Sequence, residues 1–302
     1  MIHLVLAALF PLIALIGSGY LIKKKNWLAS DFWHGAEKLN YYVLFPVMLF
    51  LNLANAEIEL KAIQQVSVVA CTIMLGMSII LYIAKHCFKI PTARFGAHLQ
   101  GILRFNTYIG LAVVSSIFHA VGMTIFAIIM VLCIPLVNVI SILSLTNRQN
   151  LKVKFVILGL IKNPLILGCL VGAVFNALDL NLWKGFSQFI TLLASCSLPL
   201  GLMCIGAALQ FHAMRKDIFP ILTNTLMRLI LMPFVAYLSC GFWGANELVT
   251  QIMVVFFALP TASASYVLTR VYGGDYELMA SIISLQTVIA AFTLPLVLNL
   301  IL

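Results

Sequence analysis

Two short polar stretches interrupt an otherwise apolar chain, and both are built from groups that suit recognition of an anion. The first reads Leu103-Arg104-Phe105-Asn106-Thr107-Tyr108-Ile109-Gly110, the second Leu259-Pro260-Thr261-Ala262-Ser263-Ala264-Ser265-Tyr266. Pro260 has no amide proton, and its ring clashes with the preceding turn, so a helix running through it kinks or breaks there. Amides freed at such a break form the positive end of a half-helix dipole, which attracts negative charge. Asn106, Thr107, Tyr108, Thr261, Ser263 and Ser265 add neutral hydrogen-bonding groups, and Gly110 completes the first stretch. The competing reading is that these small polar residues only pack helices tightly and bond across them.

Charge sharpens the reading. Arg104 and Arg228 are the two basic residues well inside apolar runs. A central arginine costs about 2.5–3.5 kcal/mol on insertion scales, so each is expected to face the protein interior and to have a task there. All nine Asp and Glu residues fall in loops or near the ends of the runs, so neither arginine has an evident buried carboxylate partner. A cation beside a broken helix then selects a ligand that brings the negative charge. For Arg104 the alternative is snorkelling to the cytoplasmic surface. For Arg228, five residues before Pro233, it is bonding to backbone carbonyls freed by a kink. Glu37 and the histidines His34, His86, His98, His119 and His212 read as solvated, at loops or run ends. A proton relay through buried acids has no candidate, and a sodium site is disfavoured because its usual carboxylates are missing. Nothing resembles a P-loop, an H-E-x-x-H or a G-x-S-x-G, so neither an enzyme nor ATP-driven transport is expected. The seven cysteines form no C-x-x-C pair and read as small apolar residues; no metal or other cofactor is expected.

The elements that position these residues must be membrane helices. Of 302 residues, 63% are hydrophobic and 9% charged, against about 25% charged in soluble domains. Ten runs are long enough to span a bilayer: Leu4–Ile22, Leu39–Asn55, Val66–Ala84, Gly96–Phe118, Met123–Leu145, Pro164–Leu180, Phe186–Leu209, Phe219–Trp243, Leu248–Val271 and Leu278–Leu302. Fourteen Lys and Arg residues follow the odd-numbered runs, and only Lys61 and Lys184 follow the even ones. That bias puts the odd loops in the cytoplasm and both termini on the non-cytoplasmic side of the cytoplasmic membrane. The net charge of +9 therefore reports membrane topology; no nucleic-acid partner is read from it. The first run lacks a basic leader and is followed by Lys23-Lys24-Lys25, so it reads as an anchor and not a cleaved signal peptide.

A single offset of 153 residues maps Pro11-Leu12-Ile13 onto Pro164-Leu165-Ile166, Gly19 onto Gly172, Pro46 onto Pro199 and Thr107 onto Pro260. Residues 1–150 and 151–302 thus read as two five-helix repeats, with no separate soluble domain. Five spans is an odd number, so the second repeat must be inverted relative to the first, as in many secondary transporters. Runs 4 and 9, which carry the two polar stretches, become equivalent.

These stretches, with Leu44-Phe45-Pro46, Leu229-Ile230-Leu231-Met232-Pro233 and Leu285-Gln286-Thr287, resemble the auxin efflux carrier family along the whole chain, with most similarity to bacterial malonate or malate permeases. The resemblance implies ten transmembrane helices in two inverted repeats, with helices 4 and 9 crossing as broken helices. It also implies a homodimer and carboxylate substrates. It carries Asn106 and Pro260 onto the crossing and Arg228 onto a basic position of helix 8. Many members have a proline in helix 4 after the Asn–Thr pair, where this chain has Gly110-Leu111-Ala112. The expectation is an all-α membrane transporter of small organic anions working by alternating access. Arg104, Asn106, Thr107, Tyr108, Thr261, Ser263 and Ser265 are its expected ligands. The alternatives are a sodium-coupled carrier of the bile-acid type and a membrane receptor or scaffold that moves nothing.

Overall fold

The computed structural model describes residues 2–56, 60–145, 163–210 and 217–302, and every regular element among them is helical. In chain order these are α1 (Ile2–Lys24), α2 (Ser30–Leu39), α3 (Phe45–Ala54), α4 (Leu60–Cys87), α5 (Thr92–Leu103), α6 (Thr107–Ile117) and α7 (His119–Leu145). There follow α8 (Pro164–Ala177), α9 (Lys184–Ala208), α10 (Ile218–Leu226), α11 (Met232–Phe242), α12 (Glu247–Ala258), α13 (Ala264–Val271) and α14 (Tyr276–Ile301). Six helical stretches are long and apolar enough to cross a membrane: Ala7–Lys24, Ala62–Cys87, His119–Leu145, Lys184–Ala208, Ile218–Phe242 and Tyr276–Ile301. The other four predicted spans are shorter or interrupted. Run 4 is divided between α5 and α6, run 9 between α12 and α13, and run 6 is the 14-residue α8. Run 2 is the end of α2, a π-helical turn and α3. The basic segment 146–162 lies outside the described residues.

Local chemistry explains the boundaries. Asn163, Asn246 and Asp275 sit just before α8, α12 and α14, and each side chain accepts a first-turn amide, at 3.0 Å (Leu165), 2.8 Å (Val249) and 3.0 Å (Leu278). Lys23 and Lys24 occupy the last turn of α1, where they oppose the negative end of its dipole. Two π-helical turns, Asn40–Leu44 between α2 and α3 and Met227–Leu231 between α10 and α11, share one cause. In both, a proline (Pro46, Pro233) follows the last π residue by two positions. A proline this deep cannot donate and crowds the carbonyl four residues back, and a widened turn relieves the clash. The second π turn holds Arg228.

Packing is densest where glycines remove side chains. A Cβ on Gly19 of α1 would strike the Met203 backbone of α9, and one on Gly172 of α8 would strike the Phe50 backbone of α3. The offset of 153 maps Gly19 onto Gly172 and Phe50 onto Met203, so the two contacts exchange under the shift. The C-terminal ends of α12 and α5 are buried, while the outward faces stay apolar, with Phe242 at 82% and Leu300 at 83% exposure. An apolar exterior on a helical core is what lipid, not water, accommodates.

Candidate functional site

The two helix breaks meet. Residues Arg104-Phe105-Asn106 separate α5 from α6, and residues 259–263 separate α12 from α13. The Asn106 amide donates to the Pro260 carbonyl at 2.8 Å, joining one break to the other. The first break forms without a proline of its own. Asn106 takes extended dihedrals and accepts the Ile109 amide on Oδ1 at 3.2 Å, which starts α6 anew. After these bonds the first-turn amides of Thr107 and Tyr108 have no partner among the described residues.

On one side of the meeting point lie two half-helix C-termini, whose last carbonyls must be satisfied in a place water does not reach. For α5, the Gln100 carbonyl accepts the Thr261 hydroxyl at 3.1 Å, the Gly101 carbonyl accepts Gln286 Nε2 at 3.0 Å, and the Ile102 carbonyl accepts Arg228 Nη1 at 2.8 Å. For α12, Arg228 Nη2 donates to the Phe256 carbonyl at 3.3 Å and Nε to the Leu259 carbonyl at 2.6 Å. Arg228 is fully buried, and its guanidinium fork bridges the negative ends of both half-helices. Gln286 also accepts the Thr261 amide at 2.9 Å and donates to Asn224 Oδ1 at 3.0 Å. Gly101 is what admits that pair, since a Cβ there would strike Asn224 Oδ1.

On the other side lies a cavity of about 430 Å³. It is flanked by the N-termini of α6 and α13, through Asn106 and Thr107 on one and Ser263 and Ala264 on the other. Its polar lining also includes Arg104, Lys38, Tyr108, Tyr41, Tyr42, Glu37, His34, Asn138 and Asn163. Arg104 Nη1 is buried with no hydrogen-bond partner. The ion pairs among the described residues join Arg94 to Asp217 and to Asp275, and none reaches Arg104 or Arg228.

The sequence-predicted residues therefore divide. Arg104, Asn106, Thr107, Tyr108 and Ser263 line the cavity. Pro260, Thr261, Ser265 and Arg228 are buried behind it. Thr261 and Ser265 face each other at 3.4 Å, and Ser265 passes its carbonyl to Thr269 at 2.7 Å, within the interior network. Gly110 is a packing glycine, because a Cβ there would strike Phe126 and Leu259. Glu37 and His34, expected to be solvated at a span end, belong to the cavity wall together with Ser263. Gln100, Asn224 and Gln286 were not singled out as site residues. Their signal was a polar side chain inside an apolar run, which for Gln286 fell within the Leu285-Gln286-Thr287 motif.

A second cavity of about 780 Å³ sits at the opposite end of α3 and α7, lined by Asn52, Asn55, Thr124, Ser187, Thr191 and Asn246. Among the described residues that line it, none is charged.

A helical, multi-pass membrane protein with a polar cavity beside two interrupted helices has the build of a transporter. Sequence comparison agrees: the family described as "Membrane transport protein" matches residues 4–298, and the chain belongs to it, the auxin efflux carrier family. An uncharacterized transporter of Methanocaldococcus jannaschii is 23% identical over 291 residues, which cover 92% of each chain. The family is one of membrane transporters and not of enzymes.

Proposed function

We propose that the protein moves small organic anions, mono- or dicarboxylates such as malonate or malate, across the cytoplasmic membrane by alternating access. The observation that carries this is Arg104. Its Nη1 is buried without a partner, and its side chain lines a cavity flanked by two half-helix N-termini. A carboxylate satisfies all three at once: the guanidinium by a charge-assisted pair, and the helix ends by their amides and dipoles. Thr107, Tyr108 and Ser263 are the neutral donors for the rest of the substrate. Asn106 serves mainly by capping α6, and Pro260 by shaping the break.

The architecture favoured is ten spans in two inverted repeats, 1–150 and 151–302, assembled as a homodimer in lipid. The exchange of the Gly19–Met203 and Gly172–Phe50 contacts under the 153-residue shift supports the repeat, as do breaks at equivalent positions. The distribution of Lys and Arg supports an orientation with both termini outside. On that orientation the charged cavity, walled by His34, Glu37 and Asn163 at the cytoplasmic ends of their helices, faces inward, and the second cavity faces outward.

The test is flux in proteoliposomes over a panel of labelled carboxylates, for wild type and for Arg104→Ala. Wild type should move at least one carboxylate, and the variant should lose that flux while keeping its thermal midpoint. Unchanged flux in Arg104→Ala removes Arg104 from the site. A wild type that binds carboxylates but moves none is a receptor.

A further inference from the structure

Arg228 has a task that carboxylate binding does not use. It is a cation placed among backbone carbonyls at the meeting of two half-helix C-termini. In transporters with interrupted helices, such unwound carbonyls and C-terminal ends are what coordinate a monovalent coupling cation. Here the carbonyl oxygens of Ile102, Phe256 and Leu259, at 2.8, 3.3 and 2.6 Å, are taken by one guanidinium. The side chain comes from a third element, the π-helical turn Met227–Leu231, and is sealed from solvent. No carboxylate pairs with it among the described residues, so the partial negative charge of the two helix ends is its counter-charge.

We propose that Arg228 is a built-in substitute for a coupling cation: the carbonyl cluster between α5 and α12 is a latent monovalent-cation site, filled by the protein's own guanidinium. Arg228 is then a positioning residue. By pinning the two C-terminal ends it fixes the offset of α6 and α13, whose N-terminal ends address the substrate. A soluble cation would leave the cluster in each transport cycle and couple flux to its gradient; a tethered one does not. The inference rests on the transporter reading for its consequence in flux, but not for the site itself.

The experiment uses the full-length protein with sodium, lithium, potassium or choline chloride at equal ionic strength. Thermal unfolding is followed for the wild type, Arg228→Gln and Arg228→Lys. The wild type should unfold at one temperature in all four salts. Arg228→Gln should unfold about 5 °C or more lower in choline and recover at least half of that in sodium or lithium. Arg228→Lys, which keeps an ammonium in the cluster, should fall less and ignore the salt. In proteoliposomes, wild-type carboxylate flux should be equal in sodium and choline. Arg228→Gln should show a KM raised about tenfold in choline and lowered again by the rescuing cation. A purely structural arginine would give destabilisation that no cation reverses, and that result overturns the latent site. Sodium-dependent flux in the wild type overturns it too, as does an Arg228→Gln variant in choline that matches the wild type. A protein that moves no carboxylate yet shows the predicted salt-specific rescue of stability supports the cation site and defeats the transporter reading.

Discussion

Arg104 and Arg228 are the same residue type, both inside apolar runs and both close to the meeting of the two helix breaks, yet their surroundings are opposite. Arg228 lies among helix C-termini and donates to three carbonyls. Arg104 lies among helix N-termini and leaves Nη1 without a partner. A broken helix has two ends of opposite polarity, and each end calls for a different answer. The negative ends are answered permanently from within the chain. The positive ends, with a further cation beside them, have no such answer among the described residues, and the proposed substrate would supply it. Neither arginine has a counterpart in the other half: the 153-residue shift takes Arg228 onto Leu75 and Arg104 onto Phe257. Equivalent breaks are thus specialised by residues that the repeat does not share.

The contrast can be broken most sharply at Arg228. Replacing it with Met leaves the buried Ile102 and Leu259 carbonyls unpaired and the Phe256 carbonyl with only the Leu259 amide at 3.4 Å, at about 1–3 kcal/mol for each unpaired group, so a loss of at least about 2 kcal/mol is expected in denaturant unfolding, together with lower yield. A Met variant as stable as the wild type would erase the difference between the two sites. Next is Arg104→Ala, expected to lower carboxylate flux about a hundredfold, equivalent to about 2.7 kcal/mol, with an unchanged thermal midpoint. Arg104→Lys should fall between, because an ammonium keeps the charge but not the planar fork. If Arg104→Ala instead unfolds the protein, Arg104 is a structural cation like Arg228.

Smaller effects probe the walls of each region. Gly110→Ala drives a methyl group into Phe126 and Leu259 behind the cavity, so about 1–3 kcal/mol of destabilisation should appear as a lowered unfolding midpoint. Asn106→Ala removes the cap of α6 and should cost about 1 kcal/mol, with Asn106→Asp restoring stability by accepting the same amide. An Asp variant that recovers stability but not flux would show that added negative charge repels the substrate, which separates the capping role from the electrostatic one.

Much of this was legible in the residues. Lipid as solvent followed from composition, and the positions of both interruptions followed from the polar islands around Asn106 and Pro260. The break at Arg104-Phe105-Asn106 was the harder one, because its run has no proline. It needs Asn106 to accept the Ile109 amide and to donate to the Pro260 carbonyl, and the second bond joins residues 154 positions apart. Glu37 escaped as a cavity residue for a related reason. A carboxylate near a span end is ordinarily solvated, and only the folded chain brings Glu37 and Ser263 into the wall of one cavity. Thr261 and Ser265 were grouped with the cavity because they share a stretch with Ser263, but on a helix start successive side chains point to different sides.

By itself the sequence determined the solvent, the helical class, the places where helices are interrupted and the scarcity of buried acids. These are properties of local composition and of proline and asparagine chemistry, which act over a few residues. Which arginine is held and which is left open was decided only by the tertiary structure. A guanidinium's state depends on whether carbonyls or amides surround it, and here those groups come from elements that lie far apart along the chain.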